Sequence, residues 1–253
     1  MKHIMQKSLL WGAVVLMCCA TGAFANVFTL TGVTPSGANM GGVYTSPYVA
    51  TISGVGSGIN VICDDYQDEV WLNESWNVTA TNLTQLPLLG SSSPVLWDTS
   101  APAIQQVTDY LTAAILAEEL LSINSSTQQA EDLSFAIWDV FTPGASTGLA
   151  DASLINADLT AAEAQAALDI TNAGGNLATA LSPFSNVTIY TADPKSGAAV
   201  ISCPNGAGNC TAPQEFISVS MAEPASPALL GFDLLGVGAL VFCVRRRRVT
   251  AQS

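Results

Sequence analysis

The spacing of the apolar residues changes twice along this chain, and that change limits the possible folds more than any other feature. From Val27 to about Leu86 the pattern is that of strands. Val27-Phe28-Thr29-Leu30, Ile59-Asn60-Val61-Ile62-Cys63 and Trp76-Asn77-Val78-Thr79-Ala80-Thr81 are rich in bulky or β-branched residues, and glycines punctuate the stretches between them. After a Ser- and Pro-rich loop over 87–102, Ile104, Val107, Leu111 and Ile115 fall at helical spacing. Ser125 and Gln128 are spaced as a capping box, opening a second helix whose apolar face is Leu133, Ala136, Ile137, Val140 and Phe141. Pro143-Gly144 ends it, and an alanine-rich third helix over about 152–171 stops at Gly174-Gly175. Strand character returns at Val187-Thr188-Ile189-Tyr190 and Phe216-Ile217-Ser218-Val219-Ser220. This order predicts an α+β domain: an antiparallel, β-rich body with about three helices packed on one side of its sheet.

The two ends are set apart from that body. Lys2, His3 and Lys7 precede an apolar stretch over 9–20, and Ala23 and Ala25 form an Ala-x-Ala site. Those three parts in that order predict a signal peptide over 1–25, exported through the Sec translocon and cut after Ala25. At the other end an apolar run over 228–244 is followed by Arg245, Arg246, Arg247 and Arg248. At about 1.5 Å per residue such a helix spans roughly 25 Å, a little short of a hydrocarbon core of about 30 Å. The arginines stop it on the cytoplasmic side, with 249–253 as a cytoplasmic tail, so that 26–222 lies beyond the membrane.

Glu223-Pro224-Ala225-Ser226, Ala228-Leu229-Leu230-Gly231, Gly236-Val237-Gly238-Ala239-Leu240 and the arginine cluster together resemble the PEP-CTERM sorting signal. The likeness covers 223–248. It departs from the pattern at Ala222, where the first proline of Pro-Glu-Pro is usual, and at Asp233, which interrupts the apolar run. The resemblance implies a Gram-negative bacterium making extracellular polysaccharide. It also implies recognition by an exosortase, cleavage near Glu223-Pro224, and transient anchoring in the inner membrane before release to the envelope or the extracellular space. Cys63-Asp64-Asp65, Glu74-Ser75-Trp76 and Ala136-Ile137-Trp138-Asp139-Val140-Phe141 also resemble, more weakly, a body type recurring among PEP-CTERM proteins.

Without its ends the body keeps one cation, Lys195, against eighteen acidic residues, a net charge of −17. Such a surface does not bind nucleic acid or anionic lipid by charge. The only histidine is His3, in the leader, so the mature body has no Ser-His-Asp or Cys-His site, and no zinc set of His and clustered Cys. No catalytic residue, cofactor or metal is therefore expected, although eighteen acids leave room for a two-carboxylate hydrolase as a lesser alternative. Cys203 and Cys210 bracket a turn-forming hexapeptide, and outside the cytoplasm a disulfide between them would contribute roughly 2.5 kcal/mol. Six Asn-x-Ser/Thr sequons start at Asn73, Asn77, Asn82, Asn124, Asn186 and Asn209, and read first as hydrogen-bonding surface residues.

Cys63 remains, at the head of Asp64-Asp65-Tyr66-Gln67-Asp68-Glu69. The acids read first as a solvated strand end and turn; a Ca²⁺ loop is the other reading, without the residue order of an EF-hand. A Cys early in a β-rich body, followed by a helix bearing Ala136-Ile137-Trp138, is similar to bacterial thioester domains. In those surface adhesins a Cys and a Gln side chain are joined. Ser134 stands here where that Gln would be, and serine cannot form the bond. On that resemblance Cys63 and Ser134 are a thioester-like remnant, with Cys63 a buried small hydrophobe and Trp138 a core anchor. The sequence thus predicts an exported envelope or matrix protein with a structural or binding role, in contact with exosortase, membrane and extracellular polysaccharide. The alternative is an adhesin derived from thioester domains.

Overall fold

The computed structural model describes residues 26–33, 39–45, 47–68, 70–89, 94–97, 101–123, 128–193 and 213–220. Among them the fold is α+β, a six-stranded antiparallel barrel with five helices. The barrel is formed by β1 (Asn26–Val33), β4 (Tyr48–Ile52), β5 (Gly56–Cys63), β6 (Ser75–Asn82), β7 (Val187–Ala192) and β8 (Phe216–Val219). Their order around it is β1-β4-β5-β8-β7-β6. Two two-residue strands, β2 (Asn39–Met40) and β3 (Val43–Tyr44), make a separate hairpin.

Alternation along the strands fills the barrel. Phe28 and Leu30, Tyr48, Ala50 and Ile52, Val61 and Cys63, Trp76 and Val78, Tyr190 and Phe216 form one buried cluster. Its centre is Phe28, whose ring lies 4.8 Å from Trp76, 5.0 Å from Phe216 and 6.0 Å from Tyr190. Four aromatic rings from four strands occupy the volume that a small barrel encloses, so the interior is a packed core.

The residues between those positions on β5, β7 and β8 are buried as well. Ile62, Val187, Ile189, Ile217 and Val219 belong to a second cluster with the helices. Strands buried on both faces need nearly continuous apolar runs, which is why Val187 onward and Phe216 onward do not alternate cleanly with polar residues. The helices are α1 (Leu86–Leu89), α2 (Ala103–Ser122), α3 (Gln128–Phe141), α4 (Ala152–Asn172) and α5 (Leu177–Leu181). α2 packs against β8, α3 and α4, and buries residues on most of its circumference. α4 is the outer helix and buries only Ile155, Ala162 and Ala166.

The helix ends follow the predicted breakers. After α3, Gly144 sits at φ +95°, while Asp139 Oδ1 accepts from Gly144 N at 2.9 Å and Ser146 N at 3.3 Å. After α4, Gly174 and Gly175 are both left-handed, and Gly175 N returns to Ile170 O at 2.9 Å, closing the last turn with a residue that bears no Cβ.

Two expectations are corrected. The sheet is closed, because β1 and β6 pair directly from Asn26↔Val78 to Thr29↔Ser75; the helices cover the outside of β5, β7 and β8 instead of one face of an open sheet. The acids after Cys63 are not a solvated turn throughout, since Asp64 and Asp65 are fully buried. No helix among the described residues is long and apolar enough to cross a membrane. The leader with Ala23 and Ala25, the Ser125 half of the capping box, Cys203 and Cys210, Glu223 and Pro224, the 228–244 span and the four arginines lie outside the described residues.

Candidate functional site

The chemistry-bearing residues converge where β5 ends. Cys63, the last residue of β5, points into the barrel, and its thiol donates to Asp65 O at 3.1 Å. Burial pushes the thiol well above its ordinary range, and the Asp65 and Asp64 carboxyls push it further. Trp138 acts weakly the other way. Its indole Nε1 reaches the neighbourhood of the sulfur without a hydrogen bond of ordinary geometry, so burial decides the outcome. A thiol held protonated in an apolar interior is a poor nucleophile. Tyr48, also raised by burial, lies close to it and donates to Tyr44 O at 2.6 Å.

Cys63 and Trp138, paired on sequence grounds, are therefore neighbours in space. Trp138 belongs to the helical core and packs tilted against Tyr66 and edge-to-face against Phe135, with ring centroids at 5.3 Å and 4.7 Å. Ser134, one turn earlier on α3, is buried and donates to Ala130 O at 2.9 Å, an intrahelical bond.

The next residue begins a network that no spacing in the sequence announced. Glu215, immediately before β8, is fully buried and accepts from Tyr110 Oη at 2.5 Å, from Leu96 N at 2.8 Å and from Thr191 Oγ1. Tyr110 comes from α2, Leu96 from the 94–97 segment and Thr191 from β7. Asp64 faces Glu215, and neither Asp64 oxygen meets an N–H or O–H of another residue. Two carboxylates cannot hydrogen-bond without a proton between them. Burial raises the Asp64 carboxyl well above its ordinary range, and the Glu215 charge raises it further. Burial also raises Glu215, against the pull of Thr191, Tyr110 and Leu96. Since the neutral donors converge on Glu215, the shared proton belongs on Asp64.

Asp65 does a different task. Its Oδ1 accepts from Gln67 N at 2.9 Å and Asp68 N at 3.2 Å, fixing the 65–68 turn, while burial raises it to about 7. Gln214 Nε2 locks the turn from the other side by donating to Asp65 O at 3.0 Å and to Asp68 O. Among the described residues no three His, Cys, Asp or Glu side chains converge as a cation site requires. Of the described sequon residues, Asn82 is committed to the fold: its Oδ1 accepts from Thr84 N at 3.0 Å and its Nδ2 donates to Ser185 O at 2.7 Å. Asn73 is exposed at φ +69°.

What these elements define is a barrel-and-helix domain with a buried polar network where β5 ends. No protein-family model matches the chain, and no curated protein matches it significantly. Among solved structures it is similar to the N-terminal thioester domain of a protein F2 like fibronectin-binding protein from Streptococcus pneumoniae. The identity is 12% and the TM-score 0.37, over 78% of this chain and 99% of that one. A likeness of that degree transfers neither fold nor function.

Proposed function

We propose that the chain is exported, sorted by an exosortase, and serves in the cell envelope or extracellular matrix as a structural or binding domain rather than an enzyme. The observation that carries this reading is that all six barrel strands, from 26 to 219, lie between the expected leader cut after Ala25 and Glu223-Pro224. Both cuts would leave the barrel whole. The interior chemistry agrees with a non-catalytic role, since the thiol is held protonated and the Asp64–Glu215 pair is sealed from any substrate. The partner class is extracellular polysaccharide.

The second reading, an adhesin on a thioester-type scaffold that has lost its Gln, is favoured by the meeting of Cys63 with Trp138 one turn beyond Ser134. Cell fractionation of the chain with and without Arg245, Arg246, Arg247 and Arg248, followed by a glycan-binding screen, tests the first. The full chain is expected in the envelope or medium and the truncated chain elsewhere. The same destination for both refutes sorting. Intact mass tests the second: a scaffold that has lost its Gln keeps the full mass of the mature chain, and a mature protein lighter by one ammonia would overturn that loss.

A further inference from the structure

The barrel has one weak seam. β5 and β8 pair through Ile62↔Ile217 and Cys63↔Phe216 alone, whereas every other adjacent pair of barrel strands has four or five such partners. The next rung, Asp64 N to Glu215 O, is stretched to 3.4 Å. The side chains of those same two residues meet there, fully buried, with Glu215 tied to α2, β7 and the 94–97 segment. The two carboxyls therefore meet at the thinnest part of the barrel, on the residue that ties α2, β7 and the 94–97 segment to it.

The described residues include no Lys, Arg or His. None of them offers the pair a cation, and neither Asp64 oxygen meets a neutral donor, so among the described residues a proton is what can join the two carboxyls. Among the described residues the titratable groups facing the pair are Asp65 and Cys63 from β5 and its end and Tyr110 from α2, with Tyr48 of β4 beyond Cys63. All are acids, and each one that ionises opposes ionisation of the pair. β7 presents Thr191 and α3 presents Trp138, both neutral.

We propose that Asp64 and Glu215 form a one-proton latch on the β5–β8 seam: the shared proton holds the barrel closed, and its release to solvent as pH rises opens the seam. This device works whether or not the chain is exported, though an exported domain would meet external pH directly. The sign follows from linkage. A carboxyl raised in the folded state contributes stability that is complete below its unfolded value and is lost as pH climbs toward the folded one. Across that window one proton makes the unfolding constant rise about tenfold per pH unit.

The test is urea unfolding of the full chain, followed by tryptophan fluorescence, between about pH 5 and pH 9, for wild type and Asp64→Asn. The Asn amide can donate to Glu215 without a titrating proton. Wild type should weaken as pH rises, and Asp64→Asn should lose about one proton's worth of that slope. Parallel curves overturn the latch. Should Asp64→Asn fail to fold, infrared spectra of Asp65→Asn at neutral pH decide the matter. Its amide oxygen can still hold the 65–68 turn, so a protonated carboxylic-acid band that persists there and shifts on Glu215→Gln belongs to the pair, and the lack of such a band overturns the proposal.

Discussion

Replacing Tyr110 by Phe isolates what the Glu215 network contributes to cohesion. The ring is almost fully buried and packs 4.9 Å from Phe141, so Phe keeps the packing and only the hydroxyl is lost. That hydroxyl donates to Glu215 at 2.5 Å and accepts from Trp97 N at 3.1 Å. A hydrogen bond to a charged group contributes about 1.5–3 kcal/mol, and an orphaned, partly buried N–H adds about 1 kcal/mol to its loss. We therefore expect Tyr110→Phe to cost about 3 kcal/mol, which in a body of this size lowers Tm by roughly 6–12 °C. Thermal melts followed by tryptophan fluorescence measure it, with Tyr66→Phe, on an exposed ring, as the control expected within about 0.5 kcal/mol of wild type. The pH dependence has a definite sign. Tyr110 favours ionised Glu215, so its loss raises the Glu215 carboxyl further, and the gap from wild type should narrow in acid, where Glu215 is protonated in both. A Tyr110→Phe protein melting within about 1 °C of wild type would refute the view that this network holds the elements together.

Two further outcomes follow from the barrel interior. Cys63 should resist alkylation in the native protein and react on unfolding; mass spectrometry of the mature chain without reductant should then find one label if Cys203 and Cys210 are bridged and three if they are not, and rapid native labelling would contradict the buried, protonated thiol. Phe28→Ala removes the ring around which Trp76, Tyr190 and Phe216 gather, and should cost about 3–5 kcal/mol by urea unfolding, whereas a loss below about 1 kcal/mol would mean the barrel refills without it.

Local signals were legible wherever period and breaker agreed. The three long helices lie where Ile104, Leu133 and the alanine-rich run placed them, and Gly144, Gly174 and Gly175 follow the helix ends as expected, where the structure gives them positive φ. β4 carried a readable alternation in Tyr48-Val49-Ala50-Thr51-Ile52 and was missed, as were the hairpin of β2 and β3 and the short α1 and α5. The site was legible only in part. Cys63 and Trp138 could be paired by likeness, but Glu215 gave no sign of itself: it is one acid among eighteen in the body, and its partners Asp64, Leu96, Tyr110 and Thr191 are scattered over more than half the chain. Asp64 and Asp65 were misjudged because adjacent acids usually stay in water, and only a donor or proton supplied from elsewhere in the fold makes their burial tolerable.

By itself the sequence determined the α+β order, the helix limits and the acidic, histidine-free character of the body, because these depend on short-range periodicity and on counting. Closure of the barrel, the double burial of β5, β7 and β8, and the carboxyl pair at the seam were decided only by tertiary structure. Each depends on residues far apart in the chain meeting in an interior without water, and there the state of a proton is set by what surrounds it.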